Sequence, residues 1–312
     1  MKEFTIDASS SGMRLSRFVE KKAPSLPLSA VYKAIRTKKI KLNRKRCHPE
    51  DRLAEGDIVQ FWLDDSSFED KRTPDFMRAS RHLDVLYEDG QLAILYKPSG
   101  ISSHPYSGDY SDNLIARFLR YLYEKGEYSV SATFTPALCN RLDRNTSGLV
   151  IAGKTHEAVE AVNALIRDGS IRKTYLAVTV AKPPREGIYE AYLRKDEKKN
   201  MVAVSDSPKD GWQKIITGFR TVTSASGLWL AECTLYTGRT HQIRAHLAHL
   251  GSPILGDSKY GDQKINRKHN ASRQYLTAYS ISFPESGAPA LSGVSGKTVS
   301  LAEKPFTDLF SY

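Results

Sequence analysis

The chain is poor in the residues that would commit it to disulfide, metal or nucleotide chemistry. Its 312 residues hold three cysteines, Cys47, Cys139 and Cys233. They are odd in number, widely spaced and form no Cys-x-x-Cys pair, so neither a disulfide framework nor a thiolate metal site is expected. No GxGxxG or GxxxxGK[ST] loop occurs, so nothing supports a nucleotide cofactor. No apolar run is long enough to span a bilayer, and the opening MKEFTIDASSSGMRLSRF lacks the apolar core of a secretory signal. There is no repeat of fixed period and no low-complexity tract. The expectation is a cytoplasmic protein without metal, cofactor or membrane partner. Acid is also in deficit: 46 Lys and Arg face 35 Asp and Glu, a net charge of +11. That surplus suits an anionic partner, although a soluble protein that is merely basic carries the same signature. Hydrophobic residues make up 40%, enough for a packed interior, which excludes global disorder. The length allows one large core with a smaller module attached.

Residues 1–64 read as that module. Ser29 is placed to cap a helix through Val31, Tyr32 and Ile35 toward Lys38. An alternating run, Lys39 to Leu42, predicts a short strand, Asn43 a turn, and Ile58 to Trp62 a second strand after the turn Glu55-Gly56-Asp57. From Lys33 to Arg46 there are eight basic residues and no acidic ones, so helix and strand share a cationic surface. Such a run is either a solvated face or a nucleic-acid face. Residues 65–82 are polar and aperiodic and read as a linker. Beyond them, Val85–Tyr87 and Leu92–Tyr96 flank Glu88-Asp89-Gly90-Gln91 as a hairpin. Thr155 to Arg167 reads as an amphipathic helix closed by Gly169.

Three segments carry chemistry. In Asn140-Arg141-Leu142-Asp143-Arg144-Asn145-Thr146-Ser147-Gly148-Leu149, a carboxylate sits on a loop between two arginines, ahead of an apolar strand. Cationic neighbours favour its ionised form, and a pre-positioned carboxylate serves as nucleophile or base. Taken alone, the arrangement fits a structural Asp–Arg ion pair more readily than a catalytic carboxylate. In Arg172-Lys173-Thr174-Tyr175-Leu176-Ala177-Val178, Tyr175 is either a stacking platform or a core tyrosine. In Thr237 to Gly251, Thr240 and Gly251 are placed to bound a helix whose Ile243, Leu247 and Leu250 face the core. His241 and Arg244 share another face, and Arg239 precedes a helix N-terminus suited to an anion. The spacing of His241, His246 and His249 keeps the three off one face, which argues against zinc.

In this order, these segments resemble the RluA-type pseudouridine synthases. NRLDRNTSGL stands where that family has HRLD-x-x-TSGL. LYEDGQLAILYKPSGISSHP, RKTYLAV and TGRTHQIRAHLAHLGSPILGDSKYG resemble its strand pair, tyrosine segment and arginine helix. The resemblance covers about residues 83 to 284. RLSRFVEKKAPSLPLSAVYKAIRTKKIKLN with AEGDIVQF resembles an S4 RNA-binding module. The sister RsuA type also carries such a module, but TGRTHQIRAH favours RluA. The resemblance implies an α+β fold: a large mixed, mostly antiparallel sheet with flanking helices and a central cleft over 83–312, plus a small S4-like α/β module over 1–64.

It further implies Asp143 as catalytic carboxylate, Tyr175 as the group that stacks on the base and assists late proton transfer, and Arg244 as the partner that orients Asp143. Arg141 matches an arginine that contacts RNA beside the extruded nucleotide. Arg239 and His241, with Lys33, Arg36, Lys38, Lys39 and Arg44 of the module, complete the expected RNA contacts. Asn140 replaces the family's usual His and is expected to touch RNA contacts more than chemistry. The implied activity is isomerisation of uridine in structured RNA, large-subunit ribosomal RNA before transfer RNA, by a monomer. The rival readings are a non-catalytic RNA-binding or ribosome-assembly protein on the same fold, and another RNA-modifying enzyme such as a methyltransferase.

Overall fold

A computed structural model describes residues 1–68, 74–106, 112–196 and 200–310. The chain divides into two compact units, one formed by Met1–Arg81 with Ala116–Ala137, the other by His82–Ile115 with Leu138–Tyr312.

In the first unit, strand β1 (Lys2–Thr5), helices α1 (Leu15–Lys22) and α2 (Leu28–Arg36), and strands β2 (Ile40–Leu42) and β3 (Ile58–Phe61) follow one another. The strands form an antiparallel sheet in the order β1-β3-β2. Phe18, Val19, Val31, Ile35, Ile40, Val59 and Phe61 make its core. The predicted cap at Ser29 is displaced. Pro27 takes the N-cap in extended backbone and Ser29 lies exposed inside the first turn. The helix stops at Arg36 because Lys38 turns left-handed (φ 62°) and the Lys39 N–H closes on the Ala34 carbonyl. The Asn43 turn forms as expected, with Asn43 and Arg44 both at positive φ and the Asn43 side chain tied to Asp57 and to the Ile58 N–H.

The predicted linker does not run free. Phe76 packs edge-on to Tyr123, and Arg120 donates to the carbonyls of Met77 and Ala79 at 2.8 and 2.6 Å. Lys21 reaches the Thr133 carbonyl at 2.6 Å. Residues 116–137, assigned from sequence to the large domain, group instead with the N-terminal unit, to which these part-buried polar and aromatic contacts tie them.

The second unit contains β4 (Asp84–Glu88), β5 (Leu92–Lys97), the start of α3 (Leu114–Glu124), β6 (Ala137–Leu138), β7 (Ser147–Gly153), α4 (His156–Arg167), β8 (Arg172–Thr179) and β9 (Gly187–Asp196). Next come β10 (Met201–Ser205), β11 (Gln213–Ala225), β12 (Leu228–Leu235), α5 (Gln242–His249), α6 (Gln263–Lys268), β13 (Leu276–Ser282) and β14 (Thr298–Ser300). Eleven strands form one sheet, β10-β9-β11-β12-β8-β13-β7-β5-β4, with β6 on β7 and β14 on β13. Strand β7 pairs with β13 in parallel, while the other pairings along the main path and that of β14 are antiparallel, so the sheet is mixed and mostly antiparallel. Strands β5 and β7 are buried on both faces, which is why they read as continuous apolar runs. Helix α4 lays Ala158 and Val162 on Leu92, Ile94, Leu149 and Ile151, capped by Thr155, whose Oγ1 accepts the Ala158 N–H. No helix among the described residues is long and apolar enough to cross a membrane.

Candidate active site

Asp143 stands on the loop between β6 and β7, and nearly every residue of that loop is tied down. The Asn140 side-chain oxygen accepts the Ile151 N–H at 2.8 Å. Ser103 Oγ both accepts from the Leu142 N–H and donates to its carbonyl, each at 3.0 Å. Lys97 Nζ, fully buried, donates to the carbonyls of Arg144, Ile101 and Pro98 at 2.8–3.0 Å. Ser99 donates to the Asn145 carbonyl, Gln274 to Thr146 Oγ1, and Ser147 pairs with Thr277. Gly148 has φ 115° where β7 runs against β13, and a Cβ there would overlap the Ala278 backbone.

The carboxylate's partner is Arg244, whose Nη1 lies 2.7 Å from Asp143 Oδ2. The remainder of that guanidinium grips Asp257, Nε to Oδ2 at 2.7 Å and Nη2 to Oδ1 at 3.0 Å. Burial pulls the arginine's pKa down, but hydrogen bonds and charge from Asp257, then Asp143, outweigh it and raise the value above the usual range. Asp257, wholly buried, is itself penalised by burial. Arg244 and the backbone N–H groups of Lys259 and Tyr260 overcome this and hold its pKa low. The flanking arginines contribute otherwise than expected. Arg144 Nε bonds the Gly100 carbonyl, and Arg141 lies exposed at the cavity wall.

His241 Nε2 is 3.7 Å from Asp143 Oδ2, and its Nδ1 is 2.9 Å from the Tyr260 hydroxyl. Burial dominates and pushes its pKa down to about 4, so the ring is neutral at neutral pH. Tyr260 accepts the Val202 N–H. The ring proton stands on Nε2, toward Asp143, in the tautomer in which the Tyr260 hydroxyl donates to Nδ1. Helix α5 begins at Gln242, not at Thr240, with His241 left-handed (φ 55°). His241 takes the N-cap position without a side-chain cap, and the Gln242 Oε1 instead braces the preceding turn, accepting from the Arg239 N–H and from the Thr237 hydroxyl. Ile243 and Leu247 are buried as expected, and Leu250 is half-buried. The three histidines meet three different partners: His246 bonds Thr217 and His249 bonds Asp206.

A cavity of about 500 Å³ opens over Asp143, walled by Tyr175, Lys173, Arg141, Arg239, His241 and Arg244 among others. Tyr175 is 6% exposed. Burial, then the charge of Asp143, raises its pKa well above the usual phenol value, so its hydroxyl is protonated. The structure thus gathers Asp143, Tyr175, Arg244, Arg141, Arg239 and His241 at one cavity. Lys33, Arg36, Lys38, Lys39 and Arg44 lie in the other unit, all exposed. Lys97, Lys173, Asp257 and Tyr260 were not singled out from sequence, although each lies inside a segment that carries the resemblance.

A family model described as RNA pseudouridylate synthase matches residues 91–249. The ribosomal large subunit pseudouridine synthase C of Buchnera aphidicola subsp. Schizaphis graminum is 32% identical, over 88% of this chain and 87% of its own. An uncharacterized RNA pseudouridine synthase of Mycoplasma pneumoniae is 30% identical, over 91% of this chain and 88% of its own. Among solved structures, human RNA pseudouridylate synthase domain containing 4 shares the fold with a TM-score of 0.55 at 21% identity, over 72% of this chain and 90% of that one. These matches and the sheet define the class, an RNA-modifying isomerase. The chain belongs to the RNA pseudouridine synthase family, and within it to the RluA type.

Proposed function

We propose that the enzyme converts uridine to pseudouridine in large-subunit ribosomal RNA, with Asp143 as the catalytic carboxylate acting on a flipped-out uridine. The ribosomal substrate follows the relatives named for it. One observation carries the catalytic role: Asp143 lines a nucleoside-sized cavity, and Arg244 occupies its Oδ2 while its Oδ1 makes no hydrogen bond among the described residues. That volume falls within the roughly 300–1,000 Å³ of small-molecule sites.

Pseudouridine is an isomer of uridine. The N1–C1′ bond breaks, the base turns, and a C5–C1′ bond forms; C5 releases its proton and N1 gains one. Extruding the base costs on the order of a few kcal/mol, which cationic contacts from Arg141 and Arg239 offset. Asp143 either attacks C1′ or removes the C2′ proton to leave a glycal. Both routes need a carboxylate oxygen within hydrogen-bond reach of the ribose, and Oδ1 is that oxygen. Arg244 holds the carboxylate in place, and Tyr175 offers a ring face to the base. The first unit acts as an S4-type RNA-binding module through Lys33, Arg36, Lys38, Lys39 and Arg44. The protein works as a monomer in the cytoplasm, where its three free cysteines stay reduced.

Asp143→Asn keeps the shape and removes the charge. With ribosomal RNA tritiated at uridine C5, this variant releases no tritium while its RNA affinity stays near wild type. Turnover at the wild-type rate would overturn the assignment.

A further inference from the structure

We infer that the first unit holds a pocket for one unstacked nucleobase of the bound RNA, with the attached phosphate on the pocket's cationic rim. This rests on the reading of that unit as an RNA-binding module. A cavity of about 330 Å³ lies between α2 and residues 46–49. Its floor is apolar, with Ile35 and Cys47 only 1% and 3% exposed. Tyr32 and Pro49 line its walls, and Lys33, Arg36 and Arg46, all exposed, line its rim.

The Tyr32 ring is out of place for a packing role. Val31, Ala34 and Ile35 of the same helix enter the core, while Tyr32 remains 42% exposed. The three rim cations make no hydrogen bond or ion pair among the described residues. Nearby acids are engaged elsewhere: Glu50 pairs with Arg14 at 2.8 Å, and Asp51 accepts the His48 N–H at 2.7 Å. Glu50 is thereby compensated, whereas Asp51 keeps its charge, which acts on Cys47 at the pocket floor, so the rim holds three cations against one uncompensated carboxylate. An apolar slot beside an aromatic ring, under unpaired cations, selects a ligand with a flat face and an anionic tail. A nucleotide has both. Stacking on an aromatic ring tolerates any base, and RNA presents such bases in loops and bulges.

The test uses the full chain carrying Asp143→Asn to stop turnover, and a fluorescein-labelled RNA hairpin with a uridine-rich loop read by anisotropy. Tyr32→Ala weakens binding about tenfold and Tyr32→Trp restores it, as loss and return of one stack require. With 5-iodouridine in the loop, photocrosslinking places an adduct on Tyr32. Circular dichroism confirms that the variants are folded, as expected for an exposed side chain. If Tyr32→Ala binds like its parent while Lys38→Ala/Lys39→Ala binds more weakly, the pocket is overturned and the RNA-binding module stands. If none of these variants changes affinity, both readings fall.

Discussion

Arg244 spends its whole fork on two carboxylates, one at the cavity and one behind it. Only a planar guanidinium presents donors in that geometry. Asp257 is consequently a positioning residue: it fixes two of the guanidinium nitrogens, and the third then fixes Asp143. Asp257→Asn leaves a buried arginine with one anionic partner instead of two. Breaking a buried pair costs about 3–5 kcal/mol when a charge is left uncompensated, and the surviving pair with Asp143 places this variant near the lower end. Urea unfolding reads that loss. In single-turnover assays on folded protein the expected signature is a lower rate with little change in RNA affinity. A rate loss that only tracks the unfolded fraction would remove the positioning role. The pairing of Arg244 with Asp143 was legible through the resemblance. Asp257 was not, because nothing local marks its partner. Its backbone role in the Gly-Asp-Ser-Lys-Tyr turn, accepting the N–H groups of Lys259 and Tyr260, is an ordinary Asx turn. Its second role exists only once α5 packs beside that turn.

At the level of elements, the Asp143 loop owes its position to an unusual pairing. Strands β7 and β13 pair in parallel within a mostly antiparallel sheet, and Gly148 permits their close approach. Gly148→Ala forces the backbone apart at the residue that follows the tied turn. A loss of about 2 kcal/mol or more, with activity lost in parallel, is expected for a backbone clash of this kind. Gly90→Ala, which meets open space in the hairpin, serves as the control and changes neither thermal stability nor rate. Equal behaviour of the two variants would dismiss the close approach as a constraint. The hairpin β4–β5 and helix α4 were legible because local pattern and burial agree: Asp89 caps its turn and Thr155 caps its helix. Strands β9 to β12 were not delineated. Their buried positions include Thr217, which is held by Gln242 and His246 rather than by apolar packing, so hydrophobic alternation breaks there. Lys97 was hidden for a related reason. It ends an apolar strand before Pro98 and reads as a solvent-facing turn residue, yet it is buried with all three donors used.

For the whole molecule, the net charge of +11 acquires a location. Lys33, Arg36, Lys38, Lys39 and Arg44 stand exposed on α2 and the turns after it, and none makes an ion pair among the described residues. Truncation is the wrong way to test them, because removing residues 1–64 would strip 116–137 of partners such as Lys21 and Lys22. Substitution leaves the unit folded, since all five side chains point to solvent. Each phosphate neutralised by a cation contributes about 0.7–0.9 to the slope of log affinity against log salt concentration. Changing the five to alanine therefore flattens that slope by about 3.5–4.5 if each meets one phosphate. Affinity drops most at low salt, where released counterions gain most, and the two proteins converge as salt rises. Titration of ribosomal RNA at several salt concentrations measures the slope directly. A parallel line displaced to weaker binding would mean that the substitutions disturb the fold of the unit rather than its phosphate contacts. An unchanged line would mean that the basic run is only a solvated face.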